Sequence, residues 1–291
     1  MVMIELLKLF SCIYCTNALT TKMPTPKISN RAKSVPSFKV MDVLQRANEL
    51  QSQGHNVIHC EVGQPESGAP TPVASAAVDS LTVRHVMGYT DAFGLLELRE
   101  KISQHYVKKY GDDGVGSRSR MGAKNIVVTT GSSGGFLLAF TACFDAGDII
   151  AVASSGYPCY RNILGALGCE ITNVPINEEF KLTSKELRAE ILNRKEMGLK
   201  EISGLILSSP SNPTGSMLSP QELKDLCELC DQEGIQFLSD EIYHGISYGK
   251  EEATALAYSS NAIVINSFSK YYSSEYHMLH FVVWELHVTF A

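Results

Sequence analysis

The chain has 291 residues, of which 44% are apolar and 19% charged. This balance is typical of a globular protein and excludes collagen, wholesale disorder and a disulfide miniprotein. The formal net charge of −6 argues against electrostatic binding to nucleic acid. No apolar run approaches the ~20 residues that a membrane-spanning helix needs.

Residues 1–36 are predicted to be an N-terminal extension. Residues 1–22 are apolar, but Glu5 and Lys8 interrupt them. The segment lacks the basic start and the small-residue cleavage site of a signal peptide. A polar lead-in follows from the second methionine, Met23. We therefore expect residues 1–22 to lie outside the fold and the protein to be cytoplasmic.

The eight cysteines include two pairs with C-x-x-C spacing, Cys12 with Cys15 and Cys227 with Cys230. Zinc requires four ligands brought together, and the second pair falls on one face of a predicted helix. We interpret that pair as core thiols and predict no metal site. The isolated cysteines favour a reducing compartment; they are Cys60, Cys143, Cys159 and Cys169.

The first third of the chain predicts three helices, at 38–54, 71–81 and 95–111, and a short strand at 56–65. From there apolar strand patterns alternate with amphipathic helix patterns. The strands are predicted at 125–130, 148–153, 169–176, 204–209, 235–243 and 262–270. The helices are predicted at 136–144, 181–198 and 219–234, with Thr183 or Ser184 as an N-cap. This alternation predicts an α/β fold of three layers, α/β/α, with a mostly parallel sheet.

Polar side chains collect where the predicted strands end, and ligands of open α/β sheets bind at that edge. Residues 131–135, Gly-Ser-Ser-Gly-Gly, open a helix whose free N–H groups favour a phosphate, although a tight turn would also need these glycines. Asp240 follows an apolar strand and would need a cationic partner if buried, whereas a capping Asp would not. Lys270 is either a surface residue or, when desolvated, an amine nucleophile.

A phosphate loop, an acid for a ring nitrogen and a Schiff-base lysine are together the three handles of pyridoxal phosphate. Asn212 and Tyr243 are placed to bind the phenolic oxygen of that cofactor, and Tyr157 to stack on its ring.

These residues carry a resemblance to a known family. Ser-Asn-Pro-Thr-Gly at 211–215, Ser-Asp-Glu-Ile-Tyr at 239–243 and Ser-Phe-Ser-Lys at 267–270 resemble the signature of class I aminotransferases, which are fold-type I pyridoxal-phosphate enzymes. The similarity extends from about residue 37 to 272. Gly63-Gln64-Pro65 resembles the family's N-terminal substrate loop.

The resemblance implies a role for each matching residue. Lys270 forms the Schiff base and shuttles the proton, Asp240 keeps the pyridine nitrogen protonated, and Tyr157 stacks on the ring. Asn212 and Tyr243 bind the 3′-oxygen. The phosphate is held by Gly131, Ser132, Ser133 and Ser267, and by Tyr89 of a neighbouring subunit in a homodimer. The substrate is held by Gly63 and Asn212.

The reaction implied is a transamination between an amino acid and a 2-oxo acid. The resemblance also divides the chain, with residues 37–70 in a small domain, 71–272 in the cofactor-binding large domain and 273–291 in a divergent tail.

The pattern breaks after Tyr272. The family's phosphate-binding Arg, eight residues past the lysine, is here Met278, and no Arg remains to clamp the substrate carboxylate. The small domain is therefore expected to be incomplete, although alternation at 281–290 still favours a strand. Alternatives are a catalytically impaired isoform that acts only as a dimer partner, and a related pyridoxal-phosphate lyase. A nucleotide-binding module would need a Walker or Rossmann fingerprint that the sequence lacks.

Overall fold

The computed structural model of the protein describes residues 27–63, 67–83, 88–111, 121–273 and 279–283. Residues 1–33 and 34–291 form two separate units, and a short helix, α1 (Asn30–Ser34), lies at their boundary. The predictions for residues 1–22, for the Cys12–Cys15 pair, for Gln64 and Pro65, and for Met278 fall outside the described residues.

Three longer helices precede the sheet in sequence: α2 (Lys39–Ser52), α3 (Thr71–Thr82) and α4 (Leu96–Tyr110). All three were predicted. Only α4 contributes buried residues, since none is buried on α2 or α3. The strand predicted at 56–65 is wrong, because the described residues 55–63 form no ladder. Ile58 is exposed there, so its apolar side chain has no packed surface to hold a strand in place.

Seven strands form one sheet in the order β1-β7-β6-β5-β4-β2-β3. Six strands run parallel to one another, whereas β7 runs antiparallel to both of its neighbours, β1 and β6. The strands are β1 (Ile126–Thr130), β2 (Ile149–Ala153), β3 (Glu170–Val174), β4 (Ile202–Ser208), β5 (Gln236–Asp240), β6 (Ile263–Ser267) and β7 (Leu279–Val283).

Four helices join these strands: α5 (Ser132–Cys143), α6 (Pro158–Leu167), α7 (Ser184–Glu196) and α8 (Pro220–Glu233). Alternate strand residues supply two separate cores. Ile149 and Ala151 of β2 pack with α4, α7 and α8, whereas Ile150 and Val152 pack with α5 and α6. Helices therefore cover both faces of the sheet, and the predicted α/β/α fold is confirmed.

Local sequence explains where the helices begin. Thr183 with Glu186 and Ser219 with Glu222 form capping boxes at α7 and α8, which confirms Thr183 as the N-cap. Helix α6 was not predicted, although it starts at Pro158 as its first residue and ends at a left-handed Gly168.

The Cys227–Cys230 pair lies on α8 and is buried in the core as free thiols. In the described ranges, no three His, Cys, Asp or Glu side chains converge in a metal-binding arrangement. No described helix combines the length and the apolar character required to cross a bilayer.

Candidate active site

The carboxyl ends of β4, β5 and β6 meet at one edge of the sheet. Because these three strands are neighbours and parallel, the loops that follow them share one open cleft of about 830 Å³. Asn212, Tyr243 and Lys270 line it, one from each loop, and Gly63 lines it from the N-terminal part of the chain. The structure thus brings together four residues that are separated by up to about 200 positions in sequence.

Asn212 and Tyr243 are in direct contact in this cleft. The Asn212 Nδ2 amide donates to the Tyr243 hydroxyl over 3.3 Å. An amide N–H and a phenolic O–H are both hydrogen-bond donors, so side chains of this kind suit an oxygen that carries negative charge.

Asp240, the last residue of β5, is buried, with 4% of its surface exposed. Its Oδ1 accepts the Ile242 amide at 3.1 Å, and its Oδ2 accepts the Tyr160 hydroxyl. Burial raises the pKa of Asp240 to about 6, against the opposing effect of these two hydrogen bonds. Both donors are neutral, so a cation brought next to this carboxylate would lower its pKa and be bound in return.

Two tyrosines surround that carboxylate. Tyr157, immediately before α6, contacts Tyr160 edge-on, with 5.6 Å between ring centroids. Tyr160 is buried and also contacts Phe136 of α5. Burial raises the pKa of Tyr157 to about 12, with smaller contributions from Cys159, Tyr243 and Asp240. The predicted stacking residue therefore lies beside the predicted acid.

Tyr160 was missed by the sequence reasoning. A signal was available, since Tyr157 and Tyr160 are three residues apart at a helix start, and that spacing puts both on one face.

Gly131 directly precedes α5, and Ser132 and Ser133 are the first two residues of that helix. Gly131 is the N-cap with a φ of 86°, a backbone conformation that favours glycine. No side chain caps the first turn of this helix, so the amides there remain available to an anion. The Ser133 hydroxyl lies 3.5 Å from the Cys159 Sγ, one residue before Tyr160, which places this helix start at the same edge of the sheet.

The remaining predicted residues lie at different places. Ser267 ends β6, and its hydroxyl is 2.6 Å from that of Ser269. Ser267 lines a second cavity, which has a volume of about 660 Å³ and is also lined by residues of α4. Tyr89 is fully exposed to solvent.

The described residues fit a phosphorylated pyridine aldehyde. A buried carboxylate served by neutral donors suits a protonated ring nitrogen, and an uncapped helix start suits a phosphate. The Asn212 amide and the Tyr243 hydroxyl are in contact and are of the donor type that a phenolate oxygen needs, and Lys270 supplies an amine in the same cleft.

Comparison with known proteins agrees with this chemistry. The sequence model of the family described as Aminotransferase class I and II matches residues 55–275. The chain is 43% identical over 251 residues to the valine–pyruvate aminotransferase of Mycobacterium tuberculosis, and that match covers 86% of this chain and 61% of the relative. It is 35% identical over 249 residues to the (5-formylfuran-3-yl)methyl phosphate transaminase of Methanocaldococcus jannaschii, covering 84% of this chain and 60% of the relative.

Among solved structures, an aminotransferase from Mycobacterium tuberculosis superimposes with a TM-score of 0.80 at 42% identity, over 90% of this chain and 64% of that one. The fold and the site thus define a class, the fold-type I enzymes. Within that class, the chain belongs to the class I and II aminotransferase family. It spans about three fifths of the length of the curated relatives that it matches.

Proposed function

We propose that the chain is the cofactor-binding part of a pyridoxal 5′-phosphate-dependent transaminase, which moves an amino group between an amino acid and a 2-oxo acid. The observation that carries the proposal is the convergence of Lys270, Asn212 and Tyr243 in one cleft beside the buried Asp240. When bound, the cofactor supplies an aldehyde that condenses with primary amines, and its ring withdraws electrons from the substrate Cα.

Asp240 keeps the ring nitrogen protonated. Its carboxylate is buried and held by Tyr160 and by the Ile242 amide, so it cannot turn toward water. A positive charge on the ring nitrogen satisfies the otherwise costly buried negative charge, and each member of the pair favours the charged form of the other.

Lys270 would supply the primary amine that holds the cofactor, and the same amine would take up a proton from the substrate Cα. It follows β6 and lines the same cleft as Asn212 and Tyr243, which supports this role. A lysine at a strand end, with one short loop to move, can serve both tasks without leaving the site.

The other residues orient the ring. Asn212 and Tyr243 donate to the 3′-oxygen and stabilise its negative charge, while Tyr157 packs against the ring face. The amides after Gly131 and the hydroxyls of Ser132 and Ser133 hold the phosphate. The resemblance assigns Ser267 to the phosphate as well, although this residue lines the second cavity. Gly63 and Asn212 contact the substrate at the mouth of the cleft.

The working unit that we propose is a homodimer in the cytoplasm. The exposure of Tyr89 supports a role at the phosphate of a neighbouring subunit, because its side chain is not packed within its own chain. Six free cysteines in the described residues support a reducing compartment. We assign residues 37–70 to a small domain, 71–272 to the large domain and 273–291 to a divergent tail.

The first substrates to test are valine and pyruvate, the pair in the name of the Mycobacterium tuberculosis relative. The test is an absorbance spectrum of the purified protein with added pyridoxal phosphate, beside the same measurement on Lys270→Ala. We expect a visible band in the parent and none in the variant, followed by loss of the band and release of a 2-oxo acid when L-valine is added.

Two other results would change the conclusion. A lysine-dependent band that persists when amino acids are added would favour the impaired isoform that acts only as a dimer partner. A folded protein with no lysine-dependent band would overturn the proposed function.

A further inference from the structure

A buried histidine lies behind the cleft, outside the set of residues used above. His244 follows Tyr243 directly, and only 4% of its side chain is exposed. Its Nε2 lies 3.0 Å from the Ser209 carbonyl oxygen, and its Nδ1 lies 2.5 Å from the hydroxyl of Tyr110, the last residue of α4. The imidazole thus joins three segments that are distant in sequence.

The hydrogen bonds fix which ring nitrogen carries the proton. A carbonyl oxygen can only accept, so Nε2 donates to Ser209. In a neutral imidazole Nδ1 is then the acceptor, and the Tyr110 hydroxyl donates to it. The Ser209 carbonyl therefore sets the tautomer, and the Tyr110 hydroxyl holds the ring in the orientation that binds Ser209.

Ser209 is the base of the loop that carries Asn212. Its amide donates to the Asp240 carbonyl at 3.2 Å, and its hydroxyl accepts the Leu218 amide at 3.0 Å. With the bond from His244, every polar group of Ser209 is occupied. The loop beyond it closes with the Ser211 amide donating to the Ser216 carbonyl at 2.9 Å. The backbone therefore joins His244 to Tyr243, and the His244 imidazole binds Ser209 at the base of the Asn212 loop.

We propose that His244 is a positioning residue, which fastens the Asn212 loop to the Tyr243 loop so that both side chains donate to the same oxygen of the cofactor. This inference rests on the proposed function and adds to it a residue that touches neither cofactor nor substrate. The 3.3 Å contact between Asn212 and Tyr243 is the product of this fastening.

Charge is not part of the role. Burial lowers the pKa of His244 to about 4, and burial also raises the pKa of Glu241, whose Oε2 lies 3.5 Å from Nδ1, to about 8. At neutral pH both groups are uncharged. The nearby Glu252 and Lys109 form an ion pair at 2.6 Å, so their charges offset one another. Replacing His244 by a neutral residue consequently changes hydrogen bonding and leaves the net charge as it was.

The first test uses amide hydrogen exchange of the full chain without cofactor. His244→Leu leaves Ser209 and Tyr110 without their partner, whereas His244→Gln keeps an amide donor near the place of Nε2. We expect exchange of a peptide covering 209–216 to accelerate about fivefold in His244→Leu and to be largely restored in His244→Gln. Ser259→Ala is the matched control, since it removes the two hydrogen bonds of a buried side chain away from the cleft, one donated to Asp231 at 2.9 Å and one accepted from the Asn261 amide at 3.1 Å.

The second test is the pH titration of the visible band with pyridoxal phosphate bound. Hydrogen bonds from Asn212 and Tyr243 favour the negatively charged 3′-oxygen, so their misplacement should raise the midpoint by about half a pH unit. The same direction is expected for Tyr110→Phe, which keeps the ring and removes only the hydroxyl that orients His244. The midpoint of Ser259→Ala should equal that of the parent.

The outcomes separate the two proposals. Normal exchange and an unmoved midpoint in His244→Leu would overturn the positioning role and leave the transaminase proposal intact. The absence of any Lys270-dependent band in the parent would overturn both. If His244→Leu does not fold, Tyr110→Phe decides: a raised midpoint supports the role, and an unchanged one overturns it.

Discussion

Asp240 combines two properties that bear on how it would bind a cation. It is a buried acid, and it is held in place by neutral donors from two different elements, Tyr160 on α6 and the Ile242 amide after β5. Burial pushes its pKa upward, and the two donors pull it back toward the ionised form. Neither donor carries a positive charge, so the Asp240 carboxylate can still bind a cation.

We expect the Tyr160 hydroxyl to contribute measurably to the affinity for pyridoxal phosphate. In Tyr160→Phe the Asp240 Oδ2 loses its donor, the pKa of Asp240 rises further, and less carboxylate is available at neutral pH. We expect the dissociation constant for pyridoxal phosphate to increase about tenfold, since a hydrogen bond to a charged group contributes roughly 1.5–3 kcal/mol. Equilibrium dialysis at pH 7 measures it.

Tyr258→Phe serves as the control for that experiment, because Tyr258 is a partly buried tyrosine at the edge of the other core. An equal loss of affinity in both variants would contradict the role given to Tyr160.

At the residue scale, the strand pattern predicts that Asp240 lies at a strand end, and the role of Lys270 is predicted from the resemblance of Ser-Phe-Ser-Lys at 267–270 to the family's signature. The sequence does not predict Tyr160 or His244. Their partners, Asp240 and Ser209, depend on how α6 and the loop after β5 are rotated against the sheet. That rotation is set by packing between residues that are distant in sequence, and the local residue pattern does not predict it.

At the scale of elements, the end of helix α5 packs closely against strand β4. A Cβ added at Gly204 would lie 2.3 Å from Cζ of Phe144, the buried residue that follows α5. The ring of Phe144 thus occupies the space that a side chain on β4 would need. This contact joins the end of one helix to the middle of a central strand.

Gly204→Ala should therefore destabilise the protein by about 1–3 kcal/mol, the usual cost of overpacking a core. Gly165→Ala is a matched substitution on α6, where the structure places no atom within 4 Å of the added Cβ. That variant should be neutral or more stable by up to about 1 kcal/mol, because alanine favours a helix over glycine. Urea unfolding compares the two; equal stabilities would refute the close contact.

Elements were predictable where local chemistry is strong. The capping boxes at Thr183 and Ser219 mark helix starts that are legible in sequence. Helix α6 was not predicted, although a proline at the first helical position is compatible with a helix start. Residues 56–60 have strand-forming composition, yet in the described chain they pair with no strand, and pairing is a property of the fold.

For the molecule as a whole, buried acids make stability depend on pH. Burial raises the pKa of Glu241 to about 8, above its ordinary value of 4.5. As pH rises from about 4.5 to about 8, the unfolded chain releases this proton while the folded chain keeps it, so folding stability falls across that window and then levels off.

Glu241→Gln should remove this fall. The amide oxygen can still accept from Thr254 and Ala255, as the Oε1 atom does at 3.1 and 2.9 Å. Relative to the variant, the parent should lose stability on the order of a few kcal/mol between pH 5 and pH 8. Urea unfolding at several pH values measures the difference; parallel pH profiles for the two proteins would contradict the buried, protonated state of Glu241.

Helix α3 and its surroundings expose apolar surface of the kind that a second subunit covers. Leu81 is 66% exposed and Val78 57% exposed on a helix that buries no residue. We expect the parent to sediment as a dimer at micromolar concentration and Leu81→Asp to shift it toward monomer. Leu192→Asp is the control, since Leu192 is 54% exposed on α7. A parent that stays monomeric would refute the proposed homodimer.

The position of β7 has a consequence for the order in which the sheet can be completed. β1 pairs only with β7 in the described sheet, and β7 comes about 150 residues later in the chain. While the polypeptide is being synthesised, the parallel strands β2 to β6 can associate as they emerge, but β1 must wait for β7. A strand synthesised after all the others of the described sheet therefore enters its interior, and a nascent chain halted before β7 would carry an unpaired β1 strand open to other partners.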